Sequence, residues 1–168
     1  KPLVRYIFSS FDSKAELKAL DYQLFLPEEE VELYLDAEKF QQILGNLLSN
    51  GCKFVLEKGK LHIHLTQDAQ SVSILIEDNG PGIPHLQQAH IFDPYFQAGG
   101  SPQPEEAGTG IGLAISKELT ELHGGSISLQ SEWGKGTTFV LRFLKGRNHL
   151  SEDQLNFFKG QVQPIKSA

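Results

Sequence analysis

The sequence contains no methionine, one cysteine and no long hydrophobic run. A lone thiol, Cys52, has no partner for an internal disulfide and no second ligand at the spacing of a zinc site, which favours a reducing cytoplasm. The apolar runs are far shorter than the ~20 residues that span a bilayer, and no signal-peptide pattern opens the chain. Because even an initiator methionine is missing, we expect a segment cut from a longer protein. The short apolar runs and the lone thiol together favour a soluble, cytoplasmic segment that does not itself contact a membrane.

Positive charge is also scarce. Lys and Arg number 15 against 21 Asp and Glu, which gives a formal net charge of -6. This balance disfavours binding to nucleic acid or to anionic lipid, so any phosphate must be held by a few local groups. A length of 168 residues suits one folding unit. We expect a single domain over residues 1–146, and we interpret the polar residues 147–168 as a linker or tail.

Hydrophobic periodicity predicts the first elements of the chain. Apolar residues recur at helical spacing over residues 3–20, although serines and an aspartate weaken the middle of the pattern, and we predict one helix there. Alternation over residues 31–35 then predicts a strand. Asp36 can cap the next helix, because its carboxylate can accept from free backbone N–H groups. The core stripe of that helix is expected to be Phe40, Ile43, Leu44, Leu47 and Leu48.

The rest of the pattern predicts two pairs of strands with a helix between them. The strands are expected at 61–65, 72–76, Ser126–Gln130 and Thr137–Phe143. The helix begins near Ile111 and is expected to end where Gly124 and Gly125 take left-handed geometry. Residues 78–110 carry repeated glycine and proline without periodicity. A stretch of that length inside a compact domain is more often functional than incidental.

Polar side chains form a stripe along the second predicted helix. Asn46, Asn50 and Lys53 stand at i, i+4 and i+7, which places them on one side of the helix beside its apolar face. An asparagine carbonyl can ligate Mg²⁺, and an ammonium can hold phosphate oxygens as a point charge. The stripe therefore suits a metal–nucleotide complex, and an ordinary solvated helix face is the alternative.

Two glycine-containing segments follow. In the first, Asp78 to Ile83, Gly80 and Gly82 let backbone approach a flat ligand and Asp78 offers an acceptor to an exocyclic amine; an ordinary tight turn is the alternative. The second, Gly108 to Leu113, opens the predicted third helix, so free N–H groups and the positive end of the helix dipole suit a phosphate. A flexible helix start is the alternative there, since the spacing matches neither a P-loop nor a dinucleotide fingerprint.

The order of these segments resembles the GHKL ATP-binding fold, and within it the histidine kinase catalytic domain. The likeness extends from about Leu3 to Leu144. The N box corresponds to Asn46–Phe54, the G1 box to Asp78–Gly82, the F box to Ile91–Phe96 and the G2 box to Gly108–Leu113. This resemblance implies an α+β fold, the two-layer α/β sandwich of the Bergerat (GHKL) ATP-binding proteins. Its mixed, mostly antiparallel sheet would carry about three helices on one face.

The resemblance also implies a role for each residue of the site. Asn50 is expected to bind Mg²⁺, while Asn46 and Lys53, the implied catalytic residues, contact the polyphosphate. Asp78 would accept from the adenine amine. Gly82 would admit the base, and Gly110 and Gly112 would give backbone contacts to phosphate. The full set of remaining cofactor-binding residues is expected to be Gly80, Gly82, Ile83, Phe92, Phe96, Gly108, Thr109, Gly110, Ile111, Gly112 and Leu113. Residues 97–107 would form a lid with Phe92 and Phe96 at its base, although two core aromatics would fit the same pattern.

The residue type at position 46 distinguishes a kinase from an ATPase, and this chain has Asn46. Hydrolytic members of the resembled group carry a glutamate at this position, four residues before the magnesium ligand, and an asparagine has no useful basicity near neutral pH. We therefore expect transfer of phosphate to an external nucleophile. A phosphoacceptor histidine is followed directly by an acidic residue and, a few positions on, by a proline, and none of the six histidines fits this pattern. His90 comes nearest, with Pro94 four residues on, but Ile91 follows it directly. His62 and His64 are interpreted as the polar face of a strand, with a metal-binding pair as the alternative.

The resemblance implies two partners, a histidine-containing dimerisation domain of the same receptor and a response-regulator receiver domain downstream, as in hybrid two-component sensors. The full-length protein is expected to be anchored in the inner membrane. Two other functions stay open, an ATP-binding sensing module without transfer and a protein-serine kinase of the same fold. The sequence departs from its relatives in two places, since residues 97–107 lack any basic residue and Gly51 stands where alanine is usual.

Overall fold

The computed structural model describes residues 3–97, 109–157 and 162–166. Its helices are α1 (Leu3–Ser9), α2 (Asp12–Leu17), α3 (Ala37–Phe54), α4 (His85–Gln88), α5 (Gly112–Leu122) and α6 (Glu152–Phe157). Its strands are β1 (Asp21–Phe25), β2 (Glu32–Asp36), β3 (Lys60–Gln67), β4 (Ser71–Asp78), β5 (Ser126–Glu132), β6 (Gly136–Leu144) and β7 (Val162–Lys166). Within these described ranges, every helix is too short or too polar to span a lipid bilayer.

Five strands form the main sheet, in the order β1-β3-β4-β6-β5. β1 and β3 run parallel, and the three other neighbouring pairs are antiparallel. Ile63 pairs with Ile76, which pairs with Phe139, so these side chains share one face of the sheet. The sheet is therefore mixed and mostly antiparallel, as the family resemblance implies.

One apolar core lies between this sheet face and the helices. The stripe predicted for α3 is entirely buried, and it shares the core with residues of α1, α5 and the inward-facing strand positions. A Cβ on Gly51 of α3 would lie 2.6 Å from a side-chain carbon of Leu61 on β3. Glycine at this helix position therefore lets β3 approach closely, and the two-layer sandwich with helices on one face is confirmed.

The N-terminal segment differs from the prediction of one helix over residues 3–20, which is wrong. The chain forms α1 and α2 instead, with the break at Ser10. The Ser10 hydroxyl donates to the carbonyl of Ile7 at 2.6 Å, a local bond that competes with helix continuation. The strand β1 that follows α2 was not predicted, although Tyr22 and Leu24 alternate with polar neighbours there.

A second, two-stranded sheet pairs β2 with β7, the last strand of the chain. β2 pairs antiparallel with β7, with Glu32 opposite Lys166 and Asp36 opposite Val162. The residues interpreted as a linker or tail thus contain a helix, α6, and a strand. Such pairing uses backbone groups, so it needs no apolar alternation that a sequence pattern would reveal. The domain boundary at residue 146 stays a prediction.

A buried histidine ties the start of α3 to the end of α5. His123 follows α5, and its Nδ1 lies 2.7 Å from the carbonyl of Leu119, while its Nε2 accepts from the Asp36 backbone amide at 3.1 Å. Burial lowers the pKa of His123 below its ordinary value. Because Nε2 already accepts a hydrogen bond, protonation would set two donors against each other. His123 is therefore held neutral in the folded protein.

Acid is expected to destabilise the fold through His123. The folded state favours neutral His123, so this residue stabilises the fold when it is neutral in the unfolded state as well. Its full contribution to the free energy of unfolding is present above pH ~6.5, the ordinary histidine pKa, and is lost as the pH falls below that value. Urea unfolding at pH 7.5 and 5.5 should show this loss, and His123→Gln should reduce the difference. The five other histidines are present in both proteins, so an identical pH dependence in the variant would contradict the assignment.

Candidate functional site

Helix α3 carries the polar stripe because its start is firmly capped. The Asp36 carboxylate accepts from the backbone amides of Glu38 and Lys39 at 2.9 and 3.0 Å, which confirms the predicted cap. The helix then continues unbroken for 18 residues to Phe54. Its apolar side faces the core, while the stripe Asn46, Asn50 and Lys53 is half-buried at the edge of that face. The structure thus places the three predicted residues on one side of α3.

Asn46 joins α3 to the glycine-rich start of α5. Its Nδ2 donates to the carbonyl of Gly112 at 3.0 Å and to the hydroxyl of Ser116 at 3.2 Å. The Ser116 hydroxyl itself donates to the same Gly112 carbonyl at 2.8 Å. The amide of Asn46 therefore holds the first turn of α5 in place. Ser116 was not singled out from the sequence, since a serine inside a helix carries no such signal.

Asp78 ends β4 with its carboxylate half-buried. The backbone amide of Gly80 donates to its Oδ1 at 2.8 Å, and the backbone amide of Thr137 on β6 donates as well. Burial raises the pKa of the Asp78 carboxyl above its ordinary value, and these two hydrogen bonds oppose the rise. The Asp78 carboxylate is therefore an acceptor that backbone donors fix in position. It can accept a further hydrogen bond from an N–H group of a ligand.

The segment after Asp78 is wedged between α3 and the β5–β6 turn. A Cβ on Gly80 would approach the Phe54 carbonyl to 3.3 Å, so this glycine lies directly against the end of α3. Gly82 has φ +69°, and a Cβ there would lie 2.1 Å from the carbonyl oxygen of Glu132. The amide of Gly134 donates to the carbonyl of Pro81 at 2.7 Å. Backbone packing on the turn therefore requires glycine at position 82, whatever a bound base requires.

Residues near the β5–β6 turn were missed as part of the site. The Ser131 hydroxyl accepts from the backbone amide of Ile83 at 2.8 Å and contacts the Thr137 hydroxyl at 2.9 Å. Ser131 and Thr137 thus support both ends of the segment that begins at Asp78. The sequence around Gly134 and Gly136 was interpreted only as a turn, and both glycines do have positive φ.

The F box and the G2 box contact each other directly. The Tyr95 amide donates to the carbonyl of Gly110 at 2.9 Å. Gly110 has φ +70°, and it packs closely on the backbone of Tyr95. Phe92 and Phe96 pack against the hydrophobic core, and the Phe92 ring centroid is 6.4 Å from that of Phe139. The interpretation of these two phenylalanines as core aromatics therefore agrees with the structure, and a place at the base of a lid stays a prediction.

The predicted segments form one contiguous surface. The end of α3 touches the G1 box at Gly80, Asn46 contacts Gly112, and the G2 box contacts the F box. Gly108 and residues 98–107, which comprise most of the predicted lid, lie outside the described residues. A groove of about 520 Å³ opens between α3 and the α1–α2 break. Asn46 lines this groove, whereas Asn50, Lys53 and Asp78 do not.

The two histidines of β3 lie on the outer face of the sheet. His62 contacts the Asp21 carboxylate at 3.0 Å, and the His64 ring stacks on Phe25 with centroids 4.5 Å apart. Across the described part of the chain, no group of three or more His, Cys, Asp or Glu side chains is arranged to hold a metal ion. This geometry agrees with a polar strand face.

Comparison with known proteins shows the family of this chain. The model for histidine kinase-, DNA gyrase B- and HSP90-like ATPases matches residues 35–147. The alginate biosynthesis sensor protein KinB of Pseudomonas aeruginosa is 37% identical over 131 residues, which are 78% of this chain and 21% of that protein. Hybrid signal transduction histidine kinase D of Dictyostelium discoideum is 35% identical over 144 residues, 83% of this chain and 9% of that protein. The chain thus spans a small part of these relatives.

The fold has a close counterpart among solved structures. The nucleotide-free catalytic domain of the histidine kinase ThkA superposes with a TM-score of 0.76 at 25% sequence identity. The match covers 88% of this chain and 93% of that domain. Because the family model covers most of the chain and the segment order agrees with it, the protein belongs to the histidine kinase-, DNA gyrase B- and HSP90-like ATPase family, within which it is a histidine kinase catalytic domain.

Proposed function

We propose that this domain binds Mg²⁺-ATP and donates the γ-phosphoryl group to a histidine on a separate dimerisation domain. The contiguous surface that carries the four segments supports the proposal most directly. Asp78 lies beside Gly80, Gly80 touches the end of α3, and Asn46 on the same helix contacts the start of α5. A ligand that spans this surface can place a base near Asp78 and an anionic chain toward α5.

The donor groups fit a metal-bound polyphosphate. The Asn50 side chain is half-buried on the polar stripe of α3, and an amide oxygen is a ligand that Mg²⁺ accepts. Lys53 supplies a cation one turn further along the helix, and the first turn of α5, which carries free backbone amides, lies next to Asn46. When bound, Mg²⁺ would neutralise charge on the phosphates. The protein contributes positioning and electrostatic stabilisation.

Asn46 favours transfer over hydrolysis. Its Nδ2 donates to Gly112 and Ser116, and no carboxylate replaces it at this position to take a proton from water. An external nucleophile must therefore receive the phosphoryl group. In this proposal the nucleophile is an imidazole nitrogen of a dimerisation domain of the same receptor, and a receiver domain acts downstream. The named relatives are a sensor protein and a hybrid signal transduction kinase, which supports that arrangement in a cytoplasmic part of an inner-membrane receptor.

Radioactive ATP tests this function. The domain is mixed with its native dimerisation segment and γ-labelled ATP, with Mg²⁺ or with EDTA in excess. Acid-labile label on the dimerisation segment, present with Mg²⁺ and absent with EDTA, is the expected result. Acid-stable label would identify a protein-serine kinase, and tight ATP binding without label would identify a sensing module. Either outcome contradicts histidine phosphorylation.

A further inference from the structure

The C-terminal end of α3 lacks the usual glycine termination. The residue after the helix, Val55, is extended with φ −68° and ψ 135°, so no left-handed residue folds back to satisfy the last carbonyls. A lysine from a different part of the chain does so instead. The Lys18 Nζ donates to the carbonyl of Lys53 at 2.8 Å and to that of Val55 at 3.3 Å. Its positive charge also matches the negative end of the helix dipole.

Lys18 is itself held in place by backbone contacts. Its carbonyl accepts from the amide of Lys58 at 2.8 Å, in the loop that follows α3. The side chain is half-buried, which strengthens a charged hydrogen bond relative to an exposed one. Lys18 therefore connects the turn after α2 to the last turn of α3 and to the loop that follows it. No sequence pattern predicts this role, because a lysine near a helix end is common on any surface.

We propose that Lys18 is a positioning residue for nucleotide binding, because it fixes the last turn of α3 that carries Lys53. This inference rests on the proposed function. Lys53 is the cation assigned to the phosphates, and Lys18 bonds directly to its backbone carbonyl. The next carbonyl, that of Phe54, lies against Gly80 beside Asp78. One ammonium thus holds the helix end between the groups assigned to the phosphates and to the base.

Loss of the hydrogen bond between Lys18 and the Lys53 carbonyl should weaken nucleotide binding, because the Lys53 side chain becomes less ordered. A frayed last turn lets the Lys53 ammonium sample many positions, and ordering it then opposes binding. The expected result for Lys18→Met is about tenfold weaker binding of Mg²⁺-ATP, the size of one lost charge-assisted hydrogen bond. Lys18→Arg should recover part of the affinity, since a guanidinium can donate to two carbonyls.

A double-mutant cycle separates positioning from general stability. Titration calorimetry with Mg²⁺-ATP is performed on the whole chain, on Lys18→Met, on Lys53→Met and on the double variant. If Lys18 acts through Lys53, Lys18→Met should have almost no further effect when Lys53 is already methionine. Lys14→Met is the control, because it removes the same charge from nearby α2. The Lys14 ammonium lies over the Phe11 ring, 5.2 Å from its centroid.

Hydrogen exchange gives a second readout that does not need nucleotide. The Val55 amide donates to Gly51 at the end of α3, and its exchange should become faster in Lys18→Met but not in Lys14→Met. An equal loss of affinity in both Lys53 backgrounds, or unchanged affinity and exchange, would overturn the positioning role while leaving the proposed function intact. Failure of the unaltered chain to bind Mg²⁺-ATP would overturn the proposed function, and the inference with it.

Discussion

Replacing Asp78 with asparagine is expected to weaken ATP binding by about two orders of magnitude. Two backbone amides, those of Gly80 and Thr137, already donate to this carboxylate, and the adenine amine would be a third donor. A carboxylate accepts from all three, whereas an asparagine has one acceptor oxygen and presents an NH₂ group to the remaining donors. A half-buried donor left without an acceptor costs ~1–3 kcal/mol, and the mismatch with the base adds to it.

Glu77→Gln is the matched control for this prediction. Glu77 precedes Asp78 on β4, its side chain is 59% exposed, and it contacts only His64 at 3.9 Å among the ion pairs of the described residues. The variant makes the same change of charge next to the site without touching it. Calorimetric titration of both variants with ATP and with GTP measures the effect. Unchanged ATP affinity in Asp78→Asn would remove the adenine assignment.

Gly82→Ala is expected to destabilise the domain by ~3 kcal/mol or more. The added Cβ would lie 2.1 Å from the carbonyl oxygen of Glu132 and 3.1 Å from the Trp133 Cα, and both are backbone atoms of the β5–β6 hairpin. Positive φ at this position adds ~1 kcal/mol of strain for any side chain. Either Asp78 and the segment after it move away from the hairpin, or the hairpin distorts.

Gly134→Ala isolates the steric part of this effect. Gly134 lies in the same turn and also has positive φ, +83°, but a Cβ there would meet no atom within 4 Å. We expect this control to lose only ~1 kcal/mol, the strain of left-handed geometry. Urea unfolding of the two variants gives the comparison. Equal losses would show that the approach of Gly82 to Glu132 is unimportant, and the requirement for glycine would then lie with the ligand.

The features that sequence analysis predicted correctly are local. The cap at Asp36 and the buried stripe of α3 depend on residues within a few positions of each other, and the paired strands β3 and β4 follow one another directly in the sequence. Periodicity reports such features because one face of an amphipathic element must be buried. The break in the N-terminal helix escaped the prediction, since it depends on how the Ser10 hydroxyl competes with the next helical bond.

For the candidate site, the sequence predicted the kinds of bond its residues can make, but not how those residues are arranged in space. The order of amides, carboxylate and glycines pointed to a metal–nucleotide ligand, because each residue type has a limited set of bonds. The partners of those residues come from distant segments. Asn46 meets Gly112 across 66 positions, and Lys18 meets Lys53 across 35. No local pattern predicts such a pair, since its two members share neither an element nor a period.

By itself, the sequence determined the family and the absence of a base at position 46, because these follow from residue identity and the order of the motifs. The two-layer architecture followed from the resemblance to that family. Only the tertiary structure decided that Gly82 is required by the Glu132 carbonyl, that Lys18 closes α3 and that β2 pairs with β7. The physical reason is common to all three. Each depends on backbone groups whose partners are chosen when separate elements pack, and backbone groups are the same at nearly every position of a sequence.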